Sequence, residues 1–309
     1  MTFARIAASL VSLLTCLAVP AQAGQLMQVT PIAPNTYALV GSTEQRSPDN
    51  LGNNSTHGLI VTDEGAVLID AGGSYKGAQA IDGIIHGLTD QPVRYVINTG
   101  GQDHRWIGNS YWKEQGATII ASADAVADQQ ARASMQQTIL TALIGSDTLE
   151  GTSPAYADIT FEDSYDLTLG GVTLQLVHPG PAHTPGDSFV WDPATKTVFT
   201  GDIVFVSRLL GVLEFSNSAG WVEAFDAMAA LHPTHVVPGH GPVTDLATAT
   251  HDTRDYLANL REKIGEHIEN GGDIITSVEV DQSAFADLDN FDTLARRNAQ
   301  EVFSQMEWE

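Results

Sequence analysis

The chain has 309 residues, with 38 acidic against 14 basic side chains and a formal net charge of −24 at pH 7. Such an acidic surface argues against nucleic acid and anionic membranes as partners, and it leaves a small molecule as the expected ligand. The single cysteine, Cys16, lies near the N-terminus in a segment that we expect to be removed. Disulfides and thiolate zinc sites are then excluded, so any metal must be held by histidine, aspartate and glutamate.

The first residues have the pattern of a secretory signal peptide. One basic residue, Arg5, precedes an apolar run, and Ala21-Gln22-Ala23 forms a small-x-small cleavage site. The run is shorter than the ~20 residues that a membrane span requires. We therefore predict a signal peptide over residues 1–23, no membrane anchor after its cleavage, and a periplasmic or secreted protein. Lipoprotein processing is less favoured, because the residue before the cysteine is a threonine.

Short β-rich runs then alternate with amphipathic stretches, which indicates a layered α/β or α+β domain. The first series contains the hairpin THGLIVTDEGAVLIDAGG, a helix near residues 75–87, the strand VRYVI, a helix starting around Trp106 and the strand ATIIASA. The second contains DITFEDSYDLTLGGVTLQLVHPG, SFVWDPATKTVFTGD, a helix over residues 220–231 and the strand THVVPGHG. Two similar halves with flanking helices predict two sheets packed together between helical layers.

The pattern changes to helix from about Asp245 onward. Apolar residues recur at helical spacing in HDTRDYLANLREKIGEHI, and the segment from Phe291 to Met306 also predicts a helix. We assign residues 24–245 to the main domain and residues 246–309 to a helical C-terminal extension that serves packing rather than catalysis. The polar loop over residues 43–57 is expected to be a plain surface loop rather than a rim of the site.

Metal-capable side chains follow several predicted strands. Because strand ends bring groups from distant parts of a chain to one place, we expect these side chains to form one site rather than separate structural hydrogen bonds. Neutral histidines with an anionic aspartate suit Zn²⁺, with water in the remaining position. The candidates are Asp103 and His104 in GGQDHR, His183 in GPAHTPGD, Asp202 in FTGD and His240 in VVPGHG.

The segments VLIDAG, NT…DH…GN, GPAHTPGD, TGD and PGHG resemble, in order and context, those of the metallo-β-lactamase fold superfamily over roughly residues 28–245. The resemblance implies an αββα sandwich of a hydrolase family that usually carries two zinc ions. It also implies that His183 is the third histidine of the first metal site and that Asp202 is the bridging aspartate. His240 would be the last histidine of the second site, and Asp70 would support the ligand loop.

The segment NTGGQDHRWIGN departs from the family motif H-x-H-x-D-H. Aligned without a gap, Gly100 and Gln102 replace the first two histidines, His104 replaces the aspartate, and Arg105 replaces the last histidine. A shift of one residue instead makes Asp103 and His104 the Asp-His pair of the motif. The two alignments stay open, but both support at most one comfortably bound ion.

We expect that ion to be held by His104, Asp202 and His240, with Asp103 or His183 assisting. The guanidinium of Arg105 is always charged, so beside Asp202 or Asp103 it would supply part of the charge of a missing ion. Binding of an anionic substrate and an ordinary surface position are the alternatives for this arginine.

These observations predict an exported hydrolase with one ion, zinc in the first place, in which activated water attacks an ester, thioester, lactone or amide carbonyl. Asp103 would orient the water or accept its proton, and His104 and Arg105 complete the catalytic candidates. One alternative is a metal-free member of the fold that binds a ligand. Another is an iron-dependent oxygenase of sulfur compounds, because two histidines and one carboxylate match the Fe(II) facial triad.

Overall fold

The computed structural model describes residues 26–309. The signal peptide predicted over residues 1–23 therefore lies outside the described residues. Within the described part of the chain, no helix combines the length and the apolar composition needed to cross a bilayer.

Two β-sheets form the centre of the fold. The first has seven strands in sequence order, and the second has five strands in the order β12-β11-β10-β9-β8. The first sheet contains β1 (Gln28–Ala33), β2 (Thr36–Val40), β3 (Thr56–Thr62), β4 (Gly65–Ile69), β5 (Val93–Asn98), β6 (Thr118–Ser122) and β7 (Ile159–Phe161). The second contains β8 (Ser164–Leu169), β9 (Val172–Val177), β10 (Phe189–Asp192), β11 (Thr197–Phe199) and β12 (His235–Val237).

Both faces of the central strands β3 and β4 are buried, which explains why these strands are rich in apolar residues at successive positions. Successive strand residues point to opposite faces. Ile60 and Ile97 face the second sheet, where Leu176 and Phe199 meet them in one core cluster. The adjacent residues, such as Leu59, pack instead against helices on the outer face. Burial on both sides therefore requires helical layers outside the sheets.

Helices supply these outer layers, and they complete the predicted αββα sandwich. The first sheet is covered by α1 and α3, and the second by α5, α7 and α8. Together with two short helices and one long one, they are α1 (Tyr75–His86), α2 (Asp103–Trp106), α3 (Asn109–Glu114), α4 (Ala123–Ile144), α5 (Ser218–Ala229), α6 (Leu246–Ala249), α7 (Tyr256–Glu269) and α8 (Phe291–Met306).

The C-terminal segment is helical, and α8 has the bounds predicted for it. Tyr256 and Leu260 of α7 and Val302 of α8 share a buried cluster with Val198 of β11. The extension therefore contributes to the main core, and the division of the chain at residue 245 stays a prediction.

Two regions differ from the expectations. Helix α4, at 22 residues the longest in the described chain, was not predicted. The loop at residues 43–57 is not a plain surface loop, because Asn53 and Asn54 are buried in it. Asn53 is stabilised by hydrogen bonds to the backbone of Gly73 and Gly77, which satisfy its buried amide.

Candidate metal centre

Three side chains from three strand ends converge at one edge of the sandwich. His104 lies in α2 just after β5, Asp202 follows β11, and His240 follows β12. One ligand atom from each of these buried residues lies within 4.8 Å of the others. The structure thus brings together the three residues that the sequence placed in one site.

A hydrogen bond at Nδ1 orients the His240 ring so that its other nitrogen, Nε2, can bind a metal. Its Nδ1 lies 2.8 Å from the carbonyl oxygen of Asn54, so Nδ1 donates a proton there. Its Nε2 lies 3.2 Å from Asp202 Oδ1. Burial lowers the pKa of His240 well below its usual value, which keeps the ring neutral. A neutral ring with its proton on Nδ1 presents the Nε2 lone pair to an ion.

His104 presents a second such nitrogen. Its Nε2 is buried without a hydrogen-bond partner, although it lies only 3.3 Å from Asp202 Oδ2. A buried nitrogen without a hydrogen bond costs free energy, so it is expected only where a bound group normally contacts that nitrogen. On the other side of the ring, Nδ1 lies 3.1 Å from Asp103 Oδ1. A carboxylate that accepts this proton orients a metal-binding histidine.

Arg105 is fully buried and pairs with Asp202, the third of the candidate metal ligands. Its Nη2 and Nε donate to the two oxygens of Asp202 at 2.7 and 3.1 Å, and its Nη1 donates to Asp70 Oδ2 at 2.7 Å. Burial by itself raises the pKa of Asp202, but the Arg105 guanidinium, together with His104 and His240, outweighs burial and holds the pKa well below its usual range. A Cβ on Gly239 would come within 2.4 Å of Nη2, so glycine there makes room for the guanidinium.

This position of Arg105 selects among the roles considered from the sequence. The side chain is neither at the surface nor open to a substrate. Asp70, which also accepts hydrogen bonds from the backbone and hydroxyl of Thr99, holds the other end of the guanidinium. The arginine therefore fixes Asp202 from behind and supplies positive charge beside it.

Arg46 supplies a second cation next to the site. Its Nη2 pairs with Asp103 Oδ1 and lies 2.8 Å from Nδ1 of His104. The pKa of Asp103 is lowered, because Arg46 and His104 outweigh the effect of burial. Arg46 comes from the loop that we expected to be a plain surface loop, so this loop rims the site.

His183 lies apart from the group of three. Its ring packs against Phe205 and Trp221 at centroid distances of 5.7 and 5.1 Å. Burial lowers the pKa of His183 to about 4, and its Nδ1 has no hydrogen-bond partner. The ligand role predicted for His183 stays a prediction, because the residue borders the same cavity as His104.

Carboxylates fill the space beside the two glycines of the GGQDHR segment. A Cβ on Gly100 would come 2.4 Å from Asp187 Oδ1, and a Cβ on Gly101 would come 1.8 Å from Asp128 Oδ2. Burial and, next, Asp202 raise the pKa of Asp187 to about 8. A histidine at position 100 would therefore displace this carboxylate.

The site opens into a cavity of about 180 Å³. It adjoins a second cavity of about 350 Å³, with which it shares four lining residues. The shared residues are Arg46, Gln102, Leu213 and Arg297. A small molecule can thus reach the group of three ligands.

The donor set fits one divalent ion better than two. Two imidazole nitrogens and one carboxylate face a common point, which suits Zn²⁺ or Fe²⁺ with further positions for water. Hydrogen bonds from Arg105 already occupy both oxygens of Asp202, which leaves little capacity for bridging a second ion.

Comparison with known proteins agrees with this architecture. The family model described as "Metallo-beta-lactamase superfamily" matches residues 52–240. The chain belongs to this superfamily. Its members include hydrolases that bind metal, often zinc. A metallo-beta-lactamase from Pontibacter korlensis has the same fold, with a TM-score of 0.60 at 24% identity over 75% of this chain and 99% of that one.

Two curated relatives match at lower coverage. A beta-lactamase-like protein 2 homolog of Caenorhabditis elegans is 26% identical over 41% of each chain. A linear primary-alkylsulfatase of a Pseudomonas species is 22% identical over 66% of this chain and 46% of its own length. The chain thus spans less than half the length of these curated relatives.

Several residues near the site were not identified from the sequence. Asp187 was visible in GPAHTPGD but carried no ligand signal of its own. The arginines lie in segments that only the fold brings to the site, and α4 itself was missed. They are Arg46, Arg132, Arg208 and Arg297.

Proposed function

We propose that the protein is an exported hydrolase that uses one divalent ion, zinc in the first place, held by His104, Asp202 and His240. The observation that carries this proposal is the group of three buried ligand atoms within 4.8 Å of one another. The hydrogen bond between His240 Nδ1 and the Asn54 carbonyl supports it, because a proton on Nδ1 leaves the lone pair of Nε2 available to a metal. Export rests on the N-terminal sequence pattern.

When bound, such an ion lowers the pKa of water and polarises a carbonyl oxygen, which is the chemistry of metal-dependent hydrolysis. The residues of the chain hold and orient the reacting groups. Arg105 fixes Asp202 and is a positioning residue, because its guanidinium is fully buried. Asp103 orients His104 through Nδ1 and, when not paired with Arg46, is the carboxylate available to accept a proton.

The proposed substrate is a small molecule with an ester, thioester, lactone or amide bond. One of the similar proteins, the linear primary-alkylsulfatase, carries the name of a hydrolase. The superfamily supports hydrolysis as the reaction class, and it does not select one bond, since one fold hosts several chemistries.

The test is elemental analysis of the purified protein together with hydrolysis of a panel of ester, thioester, lactone and amide compounds. We expect one zinc per chain, and the loss of both zinc and hydrolysis in His240→Ala. His86→Ala is the matched control, because His86 is exposed on α1 and should leave both unchanged. Stoichiometric iron with oxygen uptake in the presence of a thiol would instead favour the oxygenase.

A metal-free binding protein is the second candidate, and the two arginines favour it. Arg105 pairs with Asp202 and Asp70, and Arg46 pairs with Asp103, so the carboxylates of the site already have cationic partners. The same analysis separates the candidates. A protein that stays free of zinc, iron and manganese after incubation with each of these ions would support the second candidate and overturn the first.

A further inference from the structure

We propose that the substrate of this site is an amphiphilic anion, a molecule with an aliphatic chain and an anionic group close to the bond that is cleaved. The inference rests on the proposed function, because only a hydrolase would have a substrate, and it adds the chemical class of that substrate. Its basis is the lining of the two adjoining cavities, which differ in charge and in polarity.

The smaller cavity is cationic. Its lining includes the guanidinium groups of Arg46, Arg208 and Arg297 beside His104 and His240, and it includes no carboxylate. This is unusual in a chain in which acidic residues outnumber basic ones by 38 to 14. A chain with a net charge of −24 repels anions at long range, so an anion would bind only where local cations outweigh that field.

Two of these arginines lack acidic partners. Within residues 26–309, neither Arg208 nor Arg297 forms an ion pair. Arg208 donates through Nη1 to the carbonyl of Thr43 at 3.0 Å, and its buried Nε has no partner. Burial and, next, the neighbouring Arg46 lower the pKa of Arg208. A carboxylate, sulfate or phosphate group would satisfy both guanidinium groups through charge-assisted hydrogen bonds.

The larger cavity is apolar over much of its lining. Met135 and Ile139 of α4 face it with 41% and 46% of their surface exposed, and Leu213 and Phe215 also line it. Exposed apolar side chains that border a cavity, rather than being scattered over the surface, indicate a binding groove. A straight aliphatic chain fits the volume of about 350 Å³ and would cover both side chains of α4.

The charges of the larger cavity fix the direction of the bound molecule. Asp103, Glu214 and Glu301 line it, whereas no carboxylate of the described residues lines the smaller cavity. Of its three arginines, Arg132 is paired with Asp128 and stacks on the ring of Phe215. The three arginines of the larger cavity are balanced by three carboxylates, whereas those of the smaller cavity are not, so an anionic head would favour the smaller cavity. The head then lies beside His104 and His240, and the chain lies along α4.

The experiment is isothermal titration calorimetry of the purified protein with octanoate, octyl sulfate and octyl phosphate, compared with inorganic sulfate and with the neutral octanamide. We expect binding of at least one eight-carbon anion, and binding about tenfold weaker or absent for both octanamide and inorganic sulfate. The three head groups distinguish a carboxylate from a sulfate or phosphate substrate. Equal binding of octanamide and the anions would overturn the proposal, as would equal binding of inorganic sulfate and octyl sulfate.

Two variants and two controls test the binding of the anionic head and of the aliphatic chain separately. Arg297→Gln and Ile139→Ser should each weaken binding about tenfold. Arg94→Gln and Ile275→Ser are matched controls on exposed residues that line neither cavity, and they should bind like the unaltered protein. Arg297 and Ile139 are exposed or partly exposed, so their replacement should leave folding intact. Unchanged binding in both would overturn the proposed placement.

Titration of metal-free protein, prepared by dialysis against a chelator, separates this inference from the proposed function. Binding of the eight-carbon anion should persist in the metal-free protein, because the arginines and the apolar side chains that line the two cavities are intact. A protein that binds the anion but never a metal would refute the hydrolase while leaving the ligand class in place. A protein that binds metal and hydrolyses only neutral compounds would refute the ligand class alone.

Discussion

The two sheets contribute to the site in different ways. The second sheet supplies Asp202 and His240 in the contexts expected of the superfamily, whereas the first sheet supplies His104 together with two glycines and an arginine. On the first-sheet side, positive charge comes from guanidinium groups, since Arg105 pairs with Asp70 and Arg46 with Asp103 there. In a fold that binds metal ions, arginine side chains can thus replace part of the positive charge of the ions.

Such replacement has a physical limit. A guanidinium can neutralise a carboxylate and orient it, but it cannot offer an open coordination position. The first-sheet side of the site is therefore suited to structural support, and the chemistry depends on the point where His104 faces the second sheet. The predictions below test this division.

The largest expected effect follows from removing Arg105. In Arg105→Met, two buried carboxylates, Asp70 and Asp202, lose their common partner, and breaking a buried ion pair costs about 3–5 kcal/mol. Denaturant unfolding of the two proteins measures this difference. Arg105→Lys keeps the charge but loses the fork, so it should lie between them. A loss below about 1 kcal/mol in Arg105→Met would contradict a supporting role for the guanidinium.

The next effect concerns a buried histidine beneath Asp70. Burial lowers the pKa of His57 to about 3, and its Nδ1 donates to the carbonyl of Asp70. Below pH ~6.5 the unfolded chain binds a proton that the folded chain does not, so the folded state loses stability as the pH falls towards 3. Between pH ~6.5 and pH 4 this loss amounts to about 3.5 kcal/mol, at ~1.4 kcal/mol per pH unit.

The comparison of His57→Asn with the unaltered protein isolates this contribution. The free energy of unfolding, measured between pH 7 and pH 4, should fall less steeply in the variant, because asparagine takes up no proton. His86→Asn replaces an exposed histidine and should keep the steep dependence. Parallel pH profiles for all three proteins would show that His57 is not held neutral by the fold.

A smaller effect is expected at the first position of the family motif. In Gly100→Ala the new methyl group would lie 2.4 Å from Asp187 Oδ1, and such overpacking costs about 1–3 kcal/mol. Gly83→Ala is the control, because nothing lies within 4 Å of its Cβ position in α1, and there alanine should stabilise by about 0.5–1 kcal/mol. Equal stability changes in the two variants would mean that the space beside Gly100 is not filled.

The part of the site that was predictable from the sequence is the part that depends on strand ends. His104, Asp202 and His240 each follow a strand, and a layered fold leaves those ends few places to meet. The sandwich itself was predictable because the apolar runs and turns repeat in two halves. The sequence also indicated Asp202 or Asp103 as the partner of Arg105. Arg105 does pair with Asp202, but the sequence did not indicate its other partner, Asp70.

The remaining features depend on contacts that leave no local pattern. Helix α4 buries polar residues, including Gln129, Arg132 and Gln136, on its inner face, so its sequence lacks the apolar period that identifies a helix. Gln136, for example, accepts a hydrogen bond from Trp106 and donates one to Gly101. Arg46 and Arg208 reach the cavity from segments 162 residues apart, and nothing in either segment indicates a common destination.

The smallest expected effect concerns Arg46 and the affinity for metal. Its guanidinium always donates, so its position 2.8 Å from His104 Nδ1 favours a ring with its proton on Nε2, the atom that would bind the ion. Metal binding requires the other tautomer, with Nδ1 donating to Asp103. Arg46 and the ion therefore compete through one imidazole ring.

In Arg46→Gln this competition is relieved, because Asp103 then accepts a hydrogen bond from His104 alone. We expect the affinity for Zn²⁺ to rise on the order of tenfold. Competition with a chelator of known affinity measures the change, and Arg94→Gln is the control for loss of an exposed arginine. A weaker affinity in Arg46→Gln would mean that the arginine supports the ion instead. The first-sheet cations would then act together with the metal rather than in its place.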